Sequence, residues 1–272
     1  MPTVPQCTIV AILMLAVLGG SAESQEPTAD DVAREMSNPT SALMSLNGQF
    51  DFHSYTGTLP GAGDQSSVSF LFQPNFPFPL SSSTNILFRP AIPVLFNQPV
   101  FNGTSFESAG TNLGNINFDL MYGKTTASGM LLGVGVVGTL PTATESSLRA
   151  NWAFGPEVIA GIIRSWGVVG VLVTQSFDVS GSNKSKTLGG QYFMAFSLGG
   201  GWQLVSTPPF AYNWDSKDFR FPVGGGPFKT LMLGATPLKV GAQAWYYLSQ
   251  PDAFGPEWQV RVTISPVVKA PW

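Results

Sequence analysis

The stretch NINFDLMY, residues 115–122, alternates between two kinds of side chain. Its apolar or amphipathic members are Ile116, Phe118, Leu120 and Tyr122, and its polar members are Asn115, Asn117 and Asp119. Because successive side chains of a β-strand point to opposite faces, a period of two indicates a strand with one apolar and one polar face. Lipid on one side and water on the other would select this pattern.

The same period recurs on both sides of this stretch, and we predict twelve strands. Their clearest parts lie at residues 49–53, 67–73, 85–94, 115–122, 130–140, 151–162, 167–178, 189–198, 202–214, 218–223, 240–248 and 259–265. The alternation is weakest in 167–178 and 202–214. An even number of strands places both ends of a barrel on one side of the membrane, and bacterial single-chain barrels are even-numbered.

The composition favours a chain whose solvent is apolar. Only 11% of its 272 residues are charged, whereas 44% are hydrophobic. After Ala22 no run of about 18 apolar residues is present that could form a spanning helix. Only helices and closed barrels satisfy every backbone group within lipid, so an all-β transmembrane antiparallel barrel is predicted. A soluble β-sandwich is the alternative, although its outer faces should carry more charge.

Residues 1–22 are predicted to be a signal peptide that is removed on export. An apolar core runs from Ile9 to Leu18, and Gly20-Ser21-Ala22 supplies the small residues that a signal peptidase needs. The first six residues carry no Lys or Arg, so an uncleaved anchor is the alternative. Cys7, the only cysteine, would leave with this segment, and the exported chain would form no disulfide. An exported barrel is expected in the outer membrane of a Gram-negative cell.

Residues 23–45 form a polar segment with the one predicted helix, and the barrel is expected over residues 46–272. Asp30 and Asp31 are the predicted caps of this helix, and Asn38-Pro39 ends it. Two interpretations remain open. The segment is either a periplasmic leader or a plug that enters or covers the mouth of the barrel.

The connections between the predicted strands fall into two sets. External loops are expected near residues 56–66, 96–112, 141–149, 179–188, 214–217 and 249–256. The links at the other end are short, as in bacterial barrels, except that residues 74–83 hold three prolines. Four further prolines lie inside predicted strands, where they should mark strand ends or bulges; several central prolines would make the strand count wrong. They are Pro90, Pro93, Pro156 and Pro222.

The candidate functional residues are the ionisable side chains on the predicted inner face. They are Asp51, His53, Arg89, Asp119, Glu157, Arg220, Lys239 and Arg261. Closing the barrel pairs its last strand with its first, so Arg261 and Asp51 become predicted cross-strand partners. The charges either brace the wall as ion pairs or select solutes, and both interpretations stay open.

Other site classes find little support in the sequence. His53 is the only histidine, which excludes metal sites built on several imidazoles, and no cofactor is expected. A lipid hydrolase that uses His53 with Ser54 or Ser69 is an alternative, but alternation turns His53 inward rather than toward lipid. The net charge of −3 and the lack of a basic run argue against nucleic acid as a partner.

Four short strings carry a resemblance to a known family. They are EMSNP at 35–39, LPTAT at 140–144, FGP at 154–156 and GPEW at 255–258. In this order they resemble a group of Gram-negative outer-membrane barrels usually labelled only as transporters. The group is similar to porin-like proteins associated with phenol-degradation gene clusters, and some members carry the misleading label neuromedin U. The resemblance implies an outer-membrane barrel and implies no catalytic residues.

The resemblance and the strand count together predict a narrow, porin-like passive channel for small molecules. About eight strands give a filled interior and about sixteen an open pore, and twelve lies between them. A non-conducting structural or adhesive barrel is the alternative. Expected partners are outer-membrane lipids, a small-molecule solute and the barrel assembly machinery, for which Trp272 is the expected signal. Residues 269–272 extend beyond the last strand, where such barrels usually finish on an aromatic residue.

Overall fold

The computed structural model describes residues 28–234 and 236–271, and in them one α-helix precedes sixteen strands. The signal peptide prediction and Trp272 lie outside these residues. The elements are α1 (Ala29–Met36), β1 (Met44–Thr56), β2 (Ser66–Ser81), β3 (Thr84–Leu95), β4 (Pro99–Phe101), β5 (Phe106–Ser108), β6 (Asn112–Leu113), β7 (Ile116–Thr125), β8 (Met130–Leu140), β9 (Ala153–Arg164), β10 (Gly167–Asp178), β11 (Lys186–Gly199), β12 (Trp202–Ser206), β13 (Pro209–Asn213), β14 (Phe219–Leu233), β15 (Thr236–Ser249) and β16 (Gly255–Val268).

The strands close into an antiparallel barrel with twelve strand positions around its wall, which we call staves. This confirms the predicted fold class and strand count. Strands β12 and β13 together form one stave, and β4, β5 and β6 belong to the long connection between β3 and β7. Closure occurs where β16 pairs with β1, from Met44 opposite Val268 to Thr56 opposite Gly255. No helix in the described part of the chain is long and apolar enough to cross a membrane.

The two ends of the barrel differ in the length of their connections. One end, called the turn end, holds the tight links at 82–83, 126–129, 165–166 and 200–201 and the link between β14 and β15. The other, the loop end, holds the longer connections at 57–65, 96–115, 141–152, 179–185, 214–218 and 250–254. Strand β1 begins and β16 ends at the turn end, which corresponds to the periplasmic side of bacterial barrels.

The prediction that residues 74–83 form a long link is wrong, because β2 continues through them to Ser81. Prolines within the barrel also occupy central positions without changing the strand count. Each lies where pairing to one neighbour is interrupted. Pro90 lies where β2 and β3 skip from Phe72–Ile92 to Phe76–Phe88. Pro222 pairs with Tyr247 on β15 but lies where β14 is unpaired with β12 and β13. Proline has no N–H to donate, so no ladder hydrogen bond is lost when it lies on the side where the pairing is interrupted.

Pro93 and Pro156 follow the same rule. Pro93 lies between the pairing of β3 with β7 and its pairing with β6, and Pro156 lies where the pairing of β9 with β10 is interrupted. The inference that central prolines would overturn the strand count is therefore wrong. A closed barrel has no edge strand, and it accepts a proline where the pairing of two neighbouring strands is interrupted.

The largest interruption divides the predicted strand 202–214 into β12 and β13. Between Val205–Gly226 and Ala211–Arg220, the described backbones of this stave and β14 are unpaired. Side chains replace the missing ladder. Gln243 accepts a hydrogen bond from the Thr207 amide at 2.9 Å, and the Tyr192 hydroxyl donates to the Pro222 carbonyl at 3.1 Å. We call this interrupted stretch of wall the seam.

The seam depends on Gln243, and its removal tests this. Gln243→Ala leaves the Thr207 amide without its acceptor, and a buried donor without a partner costs about 1–3 kcal/mol. We expect the free energy of unfolding in lipid vesicles, measured by urea titration, to fall by that amount. Gln49→Ala is the control, because the Gln49 amide oxygen is buried without a hydrogen-bond partner. Equal losses in both variants would contradict this role.

Candidate functional site: a plugged lumen

The predicted pair of Asp51 and Arg261 is present on the inner wall. The two residues face each other across the closing strands, and two hydrogen bonds of 2.7 and 3.0 Å join the guanidinium to both carboxylate oxygens. Gln259 also donates to Asp51 at 2.7 Å and accepts from the Tyr247 hydroxyl at 2.8 Å. The Arg261 guanidinium lies 5.0 Å from the centre of the Trp245 ring. The pair is thus held in one geometry.

A second ionic group joins three more predicted residues. The Arg89 guanidinium lies 2.7 Å from the Asp119 carboxylate, its cross-strand neighbour on β7, and 3.8 Å from Glu157 on β9. All three side chains are largely buried. The Nη2 atom of Arg89 and the Oε1 atom of Glu157 have no hydrogen-bond partner among the described residues. These two atoms are the ones that face each other at 3.8 Å, so Glu157 joins the group as an ion pair without a hydrogen bond.

Two of the other three predicted residues, Lys239 and Arg220, are not part of these groups, whereas His53 lies opposite Gln259 at the edge of the first. Lys239 is buried and donates to the Ser37 hydroxyl of the N-terminal segment at 2.6 Å. His53 stacks on Tyr55 with 6.1 Å between ring centroids, and Arg220 is exposed near the loop end of β14. Opposite His53 on β2 lies Ser67, whose hydroxyl is within 2.8 Å of the Tyr55 hydroxyl. Ser69 lies opposite Asp51 instead. The hydrolase interpretation stays a prediction.

The N-cap residue of helix α1 is Thr28, and of the two predicted capping residues Asp31 takes part in the cap whereas Asp30 does not. The Thr28 hydroxyl accepts from the Asp31 amide while the Asp31 carboxylate accepts from the Thr28 amide, which forms a capping box. This reciprocal bond leaves Asp30 free for another role. Its two carboxylate oxygens accept from the amides of Gly200 and Gly201, at 3.0 and 2.6 Å, in the turn between β11 and β12.

Residues 28–43, the described part of the N-terminal segment before β1, lie inside the turn end of the barrel, and residues 23–27 lie outside the described residues. Arg34 donates to the carbonyl of Ser165 in the turn after β9, and Ser37 donates to Gln203 on β12 at 3.0 Å. Further along, the Thr40 hydroxyl lies 2.8 Å from that of Thr125, and the Thr40 carbonyl accepts from Asn85 at 2.8 Å. These contacts reach staves on several sides of the barrel. We call residues 28–43 the plug; that they restrict passage through the barrel stays a prediction.

Beyond the plug the lumen contains connected cavities. One of about 240 Å³ borders the plug at Met36 and Ser37, and another of about 540 Å³ reaches the ionic group of Arg89. Both share the lining residues Asn47, Gln73, Leu172, Gln191, Arg89 and Arg261. At the loop end, Phe254 packs against Tyr55 and Phe106 with ring centroids 4.6 and 4.5 Å apart. The two cavities lie between the plug and these loops.

Sequence reasoning missed several neutral residues of the wall. Trp245 is fully buried, and Gln243, Gln259 and Gln203 are nearly so. The inward position of Gln243 and Gln259 follows from alternation, because each lies between two residues of the opposite, apolar face. The pairing of Gln243 with Thr207 could not be read, since it depends on the seam. Among the described residues, no cluster of three or more His, Cys, Asp and Glu side chains could hold a metal ion.

Searches against protein-family models and curated proteins found no match. Among solved structures, an outer membrane channel from Pseudomonas putida F1 is similar, with a TM-score of 0.61 and 11% identity over 85% of this chain and 98% of that chain. The fold is that of an outer-membrane β-barrel. LpxR from Salmonella typhimurium matches with a TM-score of 0.42 and 7% identity, covering 81% of this chain and 99% of that chain. Outer membrane phospholipase A from Escherichia coli matches with a TM-score of 0.40 and 11% identity, over 89% and 98%.

These three structural similarities differ in how much they show about this chain. The two lower scores carry no argument about this barrel. The first establishes the shared architecture alone, because identity at this level carries no information about individual lining residues. The site must therefore be interpreted from its own side chains.

The Asp51–Arg261 pair can be tested by a double-mutant cycle. Removing one partner of a buried ion pair leaves an uncompensated charge, which costs about 3–5 kcal/mol. We expect Asp51→Ala and Arg261→Ala each to lower the free energy of unfolding by that order, and the double variant to lose less than the sum. Asp64→Ala, at an exposed loop residue, is the control. Additive losses would show that the two side chains act independently.

Proposed function

We propose that this protein is an outer-membrane channel through which small molecules pass by diffusion, and that its N-terminal segment restricts the periplasmic mouth. One observation carries the proposal: polar and charged side chains line connected cavities inside a closed barrel whose outer face is apolar. Paired charges can brace the wall, but the buried Lys239 has no carboxylate partner among the described residues, and an ionisable group is costly to maintain inside a membrane without a function.

The similarity to the Pseudomonas putida protein supports this proposal. That protein is described as an outer membrane channel, and it shares the architecture over nearly its whole length. The motif resemblance to porin-like transporters agrees with a channel as well. Neither identifies the solute.

The plug makes the proposal testable in a planar bilayer. We expect the mature protein to conduct weakly, and deletion of residues 23–42, which spares β1, to raise the conductance several-fold. Asp30→Ala removes both carboxylate contacts to the turn at 200–201 and should give part of that increase. Glu35→Gln changes the same charge on the same helix and is the control. Absence of current and solute flux in both folded forms would overturn the proposal.

The seam favours a second route, for apolar solutes, from the lumen into the bilayer. On the outer side of the wall a cavity of about 490 Å³ adjoins the unpaired backbone and is lined by Tyr192, Phe196, Leu204, Val223 and neighbouring residues. Elsewhere the ladder of the barrel wall is largely continuous, so a passage through it would require many hydrogen bonds to break. At the seam, a few side-chain contacts would suffice.

The lateral route predicts a difference between solutes. Val223→Trp should fill the outer cavity and slow the uptake of an apolar dye into lipid vesicles several-fold, while the ion current stays unchanged. Val260→Trp is the matched control, because Val260 lies exposed on the outer face of β16. Equal dye uptake in the two variants would exclude passage at the seam.

A further inference from the structure

Lys239 is a buried cation whose charge is not balanced by a neighbour. Its ammonium donates to the Ser37 hydroxyl and lies 5.4 Å from the centre of the Phe228 ring. In the part of the chain that the structure describes, no carboxylate lies within 4.0 Å of it. The other two cations of the lumen, Arg89 and Arg261, each have a carboxylate partner. Lys239 is therefore the exception.

An unpaired charge in a poorly solvated site is costly, and an opposite charge nearby would recover much of that cost. A hydroxyl such as that of Ser37 offers a dipole and no negative charge. The environment of Lys239 thus lacks a negative charge, and a small anionic ligand would supply one.

The cavity next to Lys239 has two unlike walls. Its charged lining residues are Arg89, Lys239 and Arg261, all of them cations, and polar side chains of β1, β2, β15 and β16 accompany them. The opposite wall is apolar. It consists of Ile159, Leu172, Phe193, Met194, Ala195, Val205 and Phe228.

We propose that this cavity next to Lys239, called the chamber, binds a small amphipathic anion, a carboxylate attached to an apolar body. The carboxylate pairs with the Lys239 ammonium, and the apolar body lies against the wall formed by β9–β12 and β14. A cation of the same shape meets the unbalanced charge of Lys239 and is disfavoured, whereas Arg89 and Arg261 are already paired with carboxylates. This inference rests on the proposed channel function and names the class of solute that the channel would select.

Three probes with the same ring and different head groups isolate the charge: benzoate, benzyl alcohol and benzylamine. Their binding to the full mature protein in phospholipid nanodiscs is measured by isothermal titration calorimetry, with empty nanodiscs as the blank. We expect benzoate to bind at least ten-fold more tightly than benzylamine. Equal affinities for the two charged probes would overturn the proposal.

Two substitutions then assign the effect to Lys239. Lys239→Met should weaken benzoate binding at least ten-fold and leave benzyl alcohol unchanged, whereas Lys239→Arg should retain benzoate binding. Lys124→Met, at an exposed residue of β7, is the control and should behave as the unaltered protein. Because Lys239→Met removes an unbalanced buried charge, we expect it to fold, which heat-modifiable gel migration checks. Unchanged benzoate affinity in folded Lys239→Met would overturn the assignment.

The ion current of the same preparations separates this inference from the channel proposal. Benzoate binding without current or flux would leave the anion site standing and overturn the channel. Current without preferential benzoate binding would leave the channel standing and overturn the anion site.

Discussion

Backbone hydrogen bonding within an apolar surrounding is the constraint on which the rest of this structure depends. Every N–H and C=O in the wall needs a partner, because lipid offers none. The pairing of β1 with β16 meets this need by closing the sheet, so that no edge is left. Closure also fixes which side chains point inward. It brings Arg261 to Asp51, residues 210 positions apart in the chain, into a bidentate ion pair.

The interruptions of the wall follow from the same constraint. Proline cannot donate to a ladder, and each of the four prolines considered lies where the ladder to one neighbour is already interrupted. At the seam, where the interruption is longest, Gln243, Gln191 and Tyr192 supply the hydrogen bonds that the backbone lacks. The wall there is held by side chains, whose contacts are easier to exchange than those of a continuous ladder.

The interior combines structural and functional demands. Arg89 and Arg261 are held by carboxylates and brace the wall, whereas Lys239 contacts only neutral groups and connects the plug to β15. The same contact that positions Ser37 therefore leaves a positive charge facing the chamber. The plug is held mainly by hydrogen bonds to turns and to polar wall residues, and comparable bonds to water can replace them.

The sequence by itself determined the barrel, its twelve strands, its inward charges and the Asp51–Arg261 pair. A period of two is a local property that can be read from neighbouring residues. An even strand number and closure of the barrel then pair the last strand with the first, which makes Asp51 and Arg261 neighbours. It did not determine the cap at Thr28, the contact of Asp30 with residues 200–201, the seam or the isolation of Lys239. Each of these depends on groups far apart in the chain whose distances only the closed wall sets. The tertiary structure alone therefore decided that the N-terminal segment enters the lumen and which buried charge lacks a partner.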